Sequence, residues 1–139
     1  MMDRFAQDRW LDNNLLSIKE QLASVHPQNR EVDKILTTIH THLFEEGLNV
    51  VRVKELSGIR TNNISCRFKR LTGLGIHHYI ENKRLETAKL LLTHTKITVG
   101  DISFKLGYSY QESFTRAFKR VIGHSPARFR EISSTKSNC

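Results

Sequence analysis

Two cysteines, Cys66 and Cys139, are too few for a disulfide framework, and no resolving cysteine lies near Cys66 in the sequence. Cys66 is therefore expected to be a small tolerated side chain rather than a redox switch. No apolar run approaches the ~20 residues that span a bilayer, and the N-terminus carries no hydrophobic signal segment. A cytoplasmic protein without membrane partners is expected. The 7 histidines include His40-x-His42 and His77-His78, but side chains one or two positions apart on a helix diverge, and no Cys, His and carboxylate set has zinc spacing. Neither an activated nucleophile nor a glycine-rich phosphate loop is visible, so no metal, no cofactor and no enzymatic activity are expected.

What is present is positive charge, unevenly placed. The net charge of +8 over 139 residues conceals 16 Lys and Arg against 5 Asp and Glu in residues 52–130, and 5 against 8 in residues 1–51. A field of that sign suits a polyanion partner, although charge alone does not separate a sequence-specific DNA reader from a ribosomal or membrane-surface protein.

The same region repeats itself. Ile64-Ser65-Cys66-Arg67-Phe68-Lys69-Arg70-Leu71-Thr72-Gly73 returns 50 positions later as Phe114-Thr115-Arg116-Ala117-Phe118-Lys119-Arg120-Val121-Ile122-Gly123. In each copy an apolar residue, a phenylalanine four positions on and Leu71 or Val121 three further mark one face of a helix for burial, while Lys-Arg rides beside it. A short helix precedes each copy. Asn49 caps the first, and Gly58 stops it. Thr98-x-x-Asp101 opens the second as a capping box, and Gly107-Tyr108 ends it. Short helix, glycine turn and basic helix is the helix-turn-helix layout, whose second helix can enter a DNA major groove. Matched Phe-Lys-Arg-x-x-Gly endings make the duplication far more specific than one copy would be.

Around these units the pattern is helical throughout. Leu11, Leu15, Ile18, Leu22 and Val25 form a heptad-like stripe too short for a confident coiled coil, broken at His26-Pro27. Asn29 is expected to cap a helix with Val32, Ile35, Leu36, Ile39 and Leu43 on one face, ending at Gly47. Ile76 to Thr93 reads as one linker helix, whose roughly 18 residues would span about 27 Å, against the ~34 Å between major-groove turns on one DNA face. The predicted fold class is all-α: two helix-turn-helix units joined by a long central helix, preceded by an extra N-terminal amphipathic helix. Boundaries are expected at 1–28 for the N-terminal extension, 29–132 for the double unit (about 48–74, 76–93 and 97–123), and 133–139 for a flexible tail.

These residues resemble the DNA-binding domain of the AraC/XylS family of bacterial transcription regulators over about Asn29 to Arg130. The most specific stretch is Ile97-Thr98-Val99-Gly100-Asp101-Ile102-Ser103-Phe104-Lys105-Leu106-Gly107-Tyr108, with Phe114, Arg116, Phe118-Lys119-Arg120, Gly123, Ser125-Pro126 and Phe129-Arg130. The resemblance implies seven helices, double-stranded DNA as partner, RNA polymerase as a second partner of an activator, and a place at the bacterial nucleoid. Carried over position by position, it puts Asn62, Asn63, Ser65 and Cys66 of the first reader and Gln111, Glu112, Thr115 and Arg116 of the second at base edges. It puts Lys69, Arg70, Lys119 and Arg120 near phosphates. All of these avoid the Ile64/Phe68/Leu71 and Phe114/Phe118/Val121 faces. Arginine can fork to guanine, glutamine or asparagine to adenine, and glutamate can accept from cytosine, each worth about 1–3 kcal/mol of discrimination. The alternative is a sequence-indifferent nucleic-acid-binding protein, of nucleoid or RNA-binding type, since Lys and Arg bind any phosphate backbone.

Three positions depart from the family pattern, all in the first unit. Arg60 stands where a capping Ser or Thr is usual, so Thr61 or a backbone shift is expected to cap the helix. Arg67 replaces a commonly apolar residue, and Lys54 a common Ala. The second unit is therefore expected to carry more of the specificity. No effector domain is expected in a chain of this length, which aligns it with the short family members that bind as monomers, unless it is a fragment. A homodimer through Leu11, Leu15, Ile18 and Leu22 remains the competing reading of the N-terminal stripe, beside the remnant of a missing domain's last helix or a helix folded onto its own core.

Overall fold

The computed structural model describes residues 30–137, with side chains to residue 134. The N-terminal stripe, the Asn29 cap and Cys139 lie outside the described residues. Among the described residues there are seven α-helices and no strand: α1 Arg30–His42, α2 Val50–Ser57, α3 Ile64–Thr72, α4 Ile76–His94, α5 Val99–Lys105, α6 Gln111–Ile122 and α7 Pro126–Ser137. The chain forms two compact units. One comprises α1, α2, α3 and the first turn of α4; the other comprises the Phe44–Gly47 turn, the remainder of α4, and α5 to α7.

In the first unit α1 buries Val32, Ile35, Leu36 and Ile39 on one face, as its spacing predicts. Glu31 and Asp33 in its first turn complement the helix dipole. The helix stops at His42 rather than running on toward Gly47. The chain then enters the Phe44–Gly47 turn that belongs to the second unit, where the Glu45 carbonyl accepts from Arg84 Nη2 at 2.9 Å, and Gly47 turns back at φ 81°. Asn49 then caps α2, its Oδ1 accepting from the Arg52 amide at 2.8 Å, and Gly58 ends it at φ 73°. Ile64, Phe68, Ile76, Tyr79 and Ile80 complete this core. Tyr79 lies edge-on to Phe68 and to His40, at centroid separations of 5.4 and 5.8 Å, and its hydroxyl is hydrogen-bonded to His40 Nε2 at 2.9 Å.

The second unit is built on Leu85, Ala88, Leu91 and Leu92 of α4 with Ile102, Leu106, Phe114, Ala117 and Phe118. Phe114 and Phe118 continue into an aromatic row with Tyr108 and Phe129. Thr98 caps α5, its hydroxyl accepting from the Asp101 amide at 3.1 Å. Pro126 opens α7 at the position where its missing N–H costs nothing, with Ser125 Oγ accepting from the Arg128 amide at 3.2 Å.

The expected burial of Leu71 and Val121 needs correction: they are 36% and 45% exposed. Each falls in the last turn of its helix, beyond the core that Phe68 or Phe118 fills, and in the second unit Ala117 takes the buried place. α7 runs on to Ser137, and no glycine or proline follows Pro126 in the sequence to stop it.

Candidate nucleic-acid interface

Recognition in a helix-turn-helix requires a helix buried on one side and polar on the other. α6 meets that requirement. Phe114, Ala117 and Phe118 are buried, while Gln111, Glu112, Arg116, Lys119 and Arg120 are exposed and Thr115 is half-buried between them. Gln111, Glu112, Thr115 and Arg116 line one open depression of about 610 Å³. The structure therefore brings the four second-unit candidates together. The depression also contains Tyr110, 71% exposed at the residue preceding α6. The sequence reading missed it, because Tyr110 lies four positions before Phe114 and continues the apolar spacing of Phe114 and Phe118.

On α3 the arrangement is sparser. Asn62 and Asn63 precede the helix, exposed; Cys66 is exposed, Ser65 half-buried, and Lys69 and Arg70 are exposed in the last turn. The expected Thr61 cap does not form. Asn63 holds the capping position without a side-chain bond, and Thr61 Oγ1 instead donates to Glu31 Oε2 at 3.0 Å. Arg67 Nη2 reaches the same carboxylate oxygen at 2.6 Å. The Arg67 hydrogen bond, then that of Thr61, hold the Glu31 carboxyl below its ordinary range. The unusual Arg67 thus ties α3 to α1 and does not point to a nucleic acid.

The turn before α6 is fixed by several contacts within its own unit. Gly107 adopts φ 94°, and a Cβ there would sit 2.7 Å from Arg84 Nη2 and 2.9 Å from the Glu45 carbonyl, so only glycine fits. The buried Arg84 guanidinium lies 5.4 Å from the Tyr108 ring centroid. Burial lowers the Arg84 pKa and raises that of Tyr108, each in the direction that disfavours the charged form. Ser109 Oγ donates to Glu46 Oε1 at 2.8 Å, and Arg120 is paired with Glu81 of α4. Arg120 is thus engaged within the protein, whereas Lys69, Arg70, Arg116 and Lys119 make no ion pair among the described residues. No group of three or more His, Cys, Asp or Glu side chains among the described residues is placed to hold a metal ion.

Residues 55–132 match a family model described as a helix-turn-helix domain. The chain is 34% identical over 101 residues to the F1 operon positive regulatory protein of Yersinia pestis, covering 73% of this chain and 34% of that protein. It is also 34% identical over 100 residues to an uncharacterised HTH-type transcriptional regulator of Staphylococcus aureus, covering 72% of this chain and 13% of the relative. The chain thus spans about a third or less of the length of these relatives. Among solved structures it resembles the C-terminal domain of AraT, a response regulator from Geobacillus stearothermophilus, with TM-score 0.71 and 27% identity over 75% of this chain and 86% of that one. With its duplicated units, its matched segment and these relatives, the chain belongs to the AraC-type helix-turn-helix transcriptional regulators.

Proposed function

We propose that this protein binds double-stranded DNA sequence-specifically, with α3 and α6 entering adjacent major-groove segments over a site of about 20 bp. One observation carries the reading: α6 places Gln111, Glu112, Thr115 and Arg116 side by side on a solvent-facing surface while its other face is packed in the core. These are side chains able to discriminate bases by donor and acceptor pattern. In the first unit, Asn62, Asn63, Ser65 and Cys66 supply fewer long polar groups, so α3 contributes affinity more than discrimination. Lys69, Arg70 and Lys119 meet phosphates. If the two readers engage successive groove segments closer together than straight DNA presents them, the duplex bends, at a cost of order 1–6 kcal/mol. The protein acts as an activator, a reading supported by the relative named as a positive regulatory protein, and as an activator it also touches RNA polymerase.

A random-oligonucleotide selection with purified protein tests this at about 150 mM salt, where exposed charges are screened beyond ~8 Å. The expected product is an asymmetric motif of two boxes about one helical turn apart. A palindromic motif would assign a dimer to the N-terminal stripe, and no enrichment would favour the sequence-indifferent nucleic-acid binder.

A further inference from the structure

Five glycines of this chain have positive φ, namely Gly47, Gly58, Gly73, Gly107 and Gly123, and each is explained by a left-handed turn. Gly100 is different. It is the second residue of α5, its backbone is one that any residue can adopt, and a helix interior disfavours glycine. What distinguishes the position is its neighbour: a Cβ at residue 100 would lie 2.9 Å from Gln111 Oε1 and 3.7 Å from Gln111 Cδ, with no other atom so near. The end of the Gln111 side chain therefore rests on the bare backbone of α5. Gln111 is the first residue of α6 and one of the side chains lining its open depression.

We infer that Gly100 is a specificity-positioning residue: by leaving a seat for the Gln111 carboxamide, it fixes the direction from which Gln111 meets a base edge. This rests on the proposal that α6 reads DNA. Glutamine has several rotatable bonds, and a bidentate contact to adenine demands one orientation of its amide, so a side chain already held in place loses less freedom on binding. A methyl group at 100 displaces only the far end of a flexible side chain, since no backbone atom lies in its way. Gly100→Ala consequently moves Gln111 without disturbing the fold, and the change also favours the helix.

The experiment measures binding of the full chain, and of its Gly100→Ala, Gln111→Ala and doubly substituted forms, to the selected DNA site. Each form is tested against the set of single-base variants of that site, with thermal melts alongside. Gln111→Ala identifies the base pair that Gln111 reads. At that pair Gly100→Ala is expected to lower discrimination about tenfold, the scale of one good base contact, and to add nothing when Gln111 is already alanine, with an unchanged or raised melting midpoint. A Gly100→Ala effect equal in both backgrounds, or none where Gln111→Ala has one, overturns the positioning role and leaves the DNA reading standing. Unaltered discrimination at every position in Gln111→Ala removes Gln111 from the base contacts and overturns the positioning role with it, whereas failure to select any site overturns the DNA reading itself. In the free protein, a nuclear Overhauser contact between the Gly100 α-protons and the Gln111 side-chain amide is expected, and its absence overturns the seat itself.

Discussion

Arg67 shows how one side chain changes its meaning once its neighbours are known. In the sequence it is a basic residue on a basic helix, three positions from Ile64 and one from Phe68. In the structure it shares the Glu31 carboxylate with Thr61 and joins α3 to α1. That arrangement has a pH signature. Glu31 is held below its ordinary value of 4.5 by Arg67 first and Thr61 second, so the folded state favours the ionised carboxylate. Its contribution to stability is fully present above the unfolded pKa and is lost as pH falls through the lower folded value. The melting-midpoint difference between the native chain and Glu31→Gln should therefore be constant above about pH 5.5 and shrink as pH drops below the ordinary value. A difference that persists unchanged at pH 3 would remove the ion pair from the account. Nothing in the sequence pointed to Glu31, because a contact over 36 positions leaves no local pattern.

The helices were legible because their signals are local. Asn49 and Thr98 accept from the third residue on, the glycines after α2, α3 and α6 turn left-handed, and the core faces repeat at helical spacing. The pattern failed where a helix outruns its core. Phe118 is completely buried, whereas Val121, on the same stripe, is 45% exposed. Phe118→Ala should cost about 3–5 kcal/mol, while Val121→Ala should stay within about 1 kcal/mol, since little apolar surface leaves water there. Urea titrations of the two variants check this, and comparable losses would mean that Val121 is packed. Leu71 occupies the same place on α3 and should behave as Val121 does. Tyr110 fails the same pattern at the other end of the helix: four positions before Phe114 it keeps the apolar spacing, yet it precedes α6 and is exposed.

For the chain as a whole, charge sets how DNA would be held and side-chain pairing sets which charges take part. Each lysine that neutralises a phosphate adds about 0.9 to the slope of log K against log salt on B-form DNA. Lys69→Ala and Lys119→Ala should each lower that slope by about this amount. Arg120→Ala should lower it less, because Glu81 already neutralises Arg120 and fewer counterions leave the DNA on its account. Equal slopes for Arg120→Ala and Lys119→Ala, from affinities measured between low and moderate salt, would return Arg120 to the phosphate contacts.

Repeat, caps, apolar periodicity and basic charge were enough to mark α1 to α6, six of the seven described helices, since all of these are written in spacings of a few residues; the seven-helix count and the family came from the resemblance. Which polar groups are engaged inside the protein, and which remain for a ligand, was decided only by tertiary structure. The Glu31, Glu45, Glu46 and Glu81 partners lie 30 to 63 positions from the side chains they hold. The seat of Gln111 on Gly100 likewise depends on how α5 and α6 pack. Folding brings such pairs within hydrogen-bond or van der Waals reach, and both interactions act over a few ångströms of space whatever the distance along the chain.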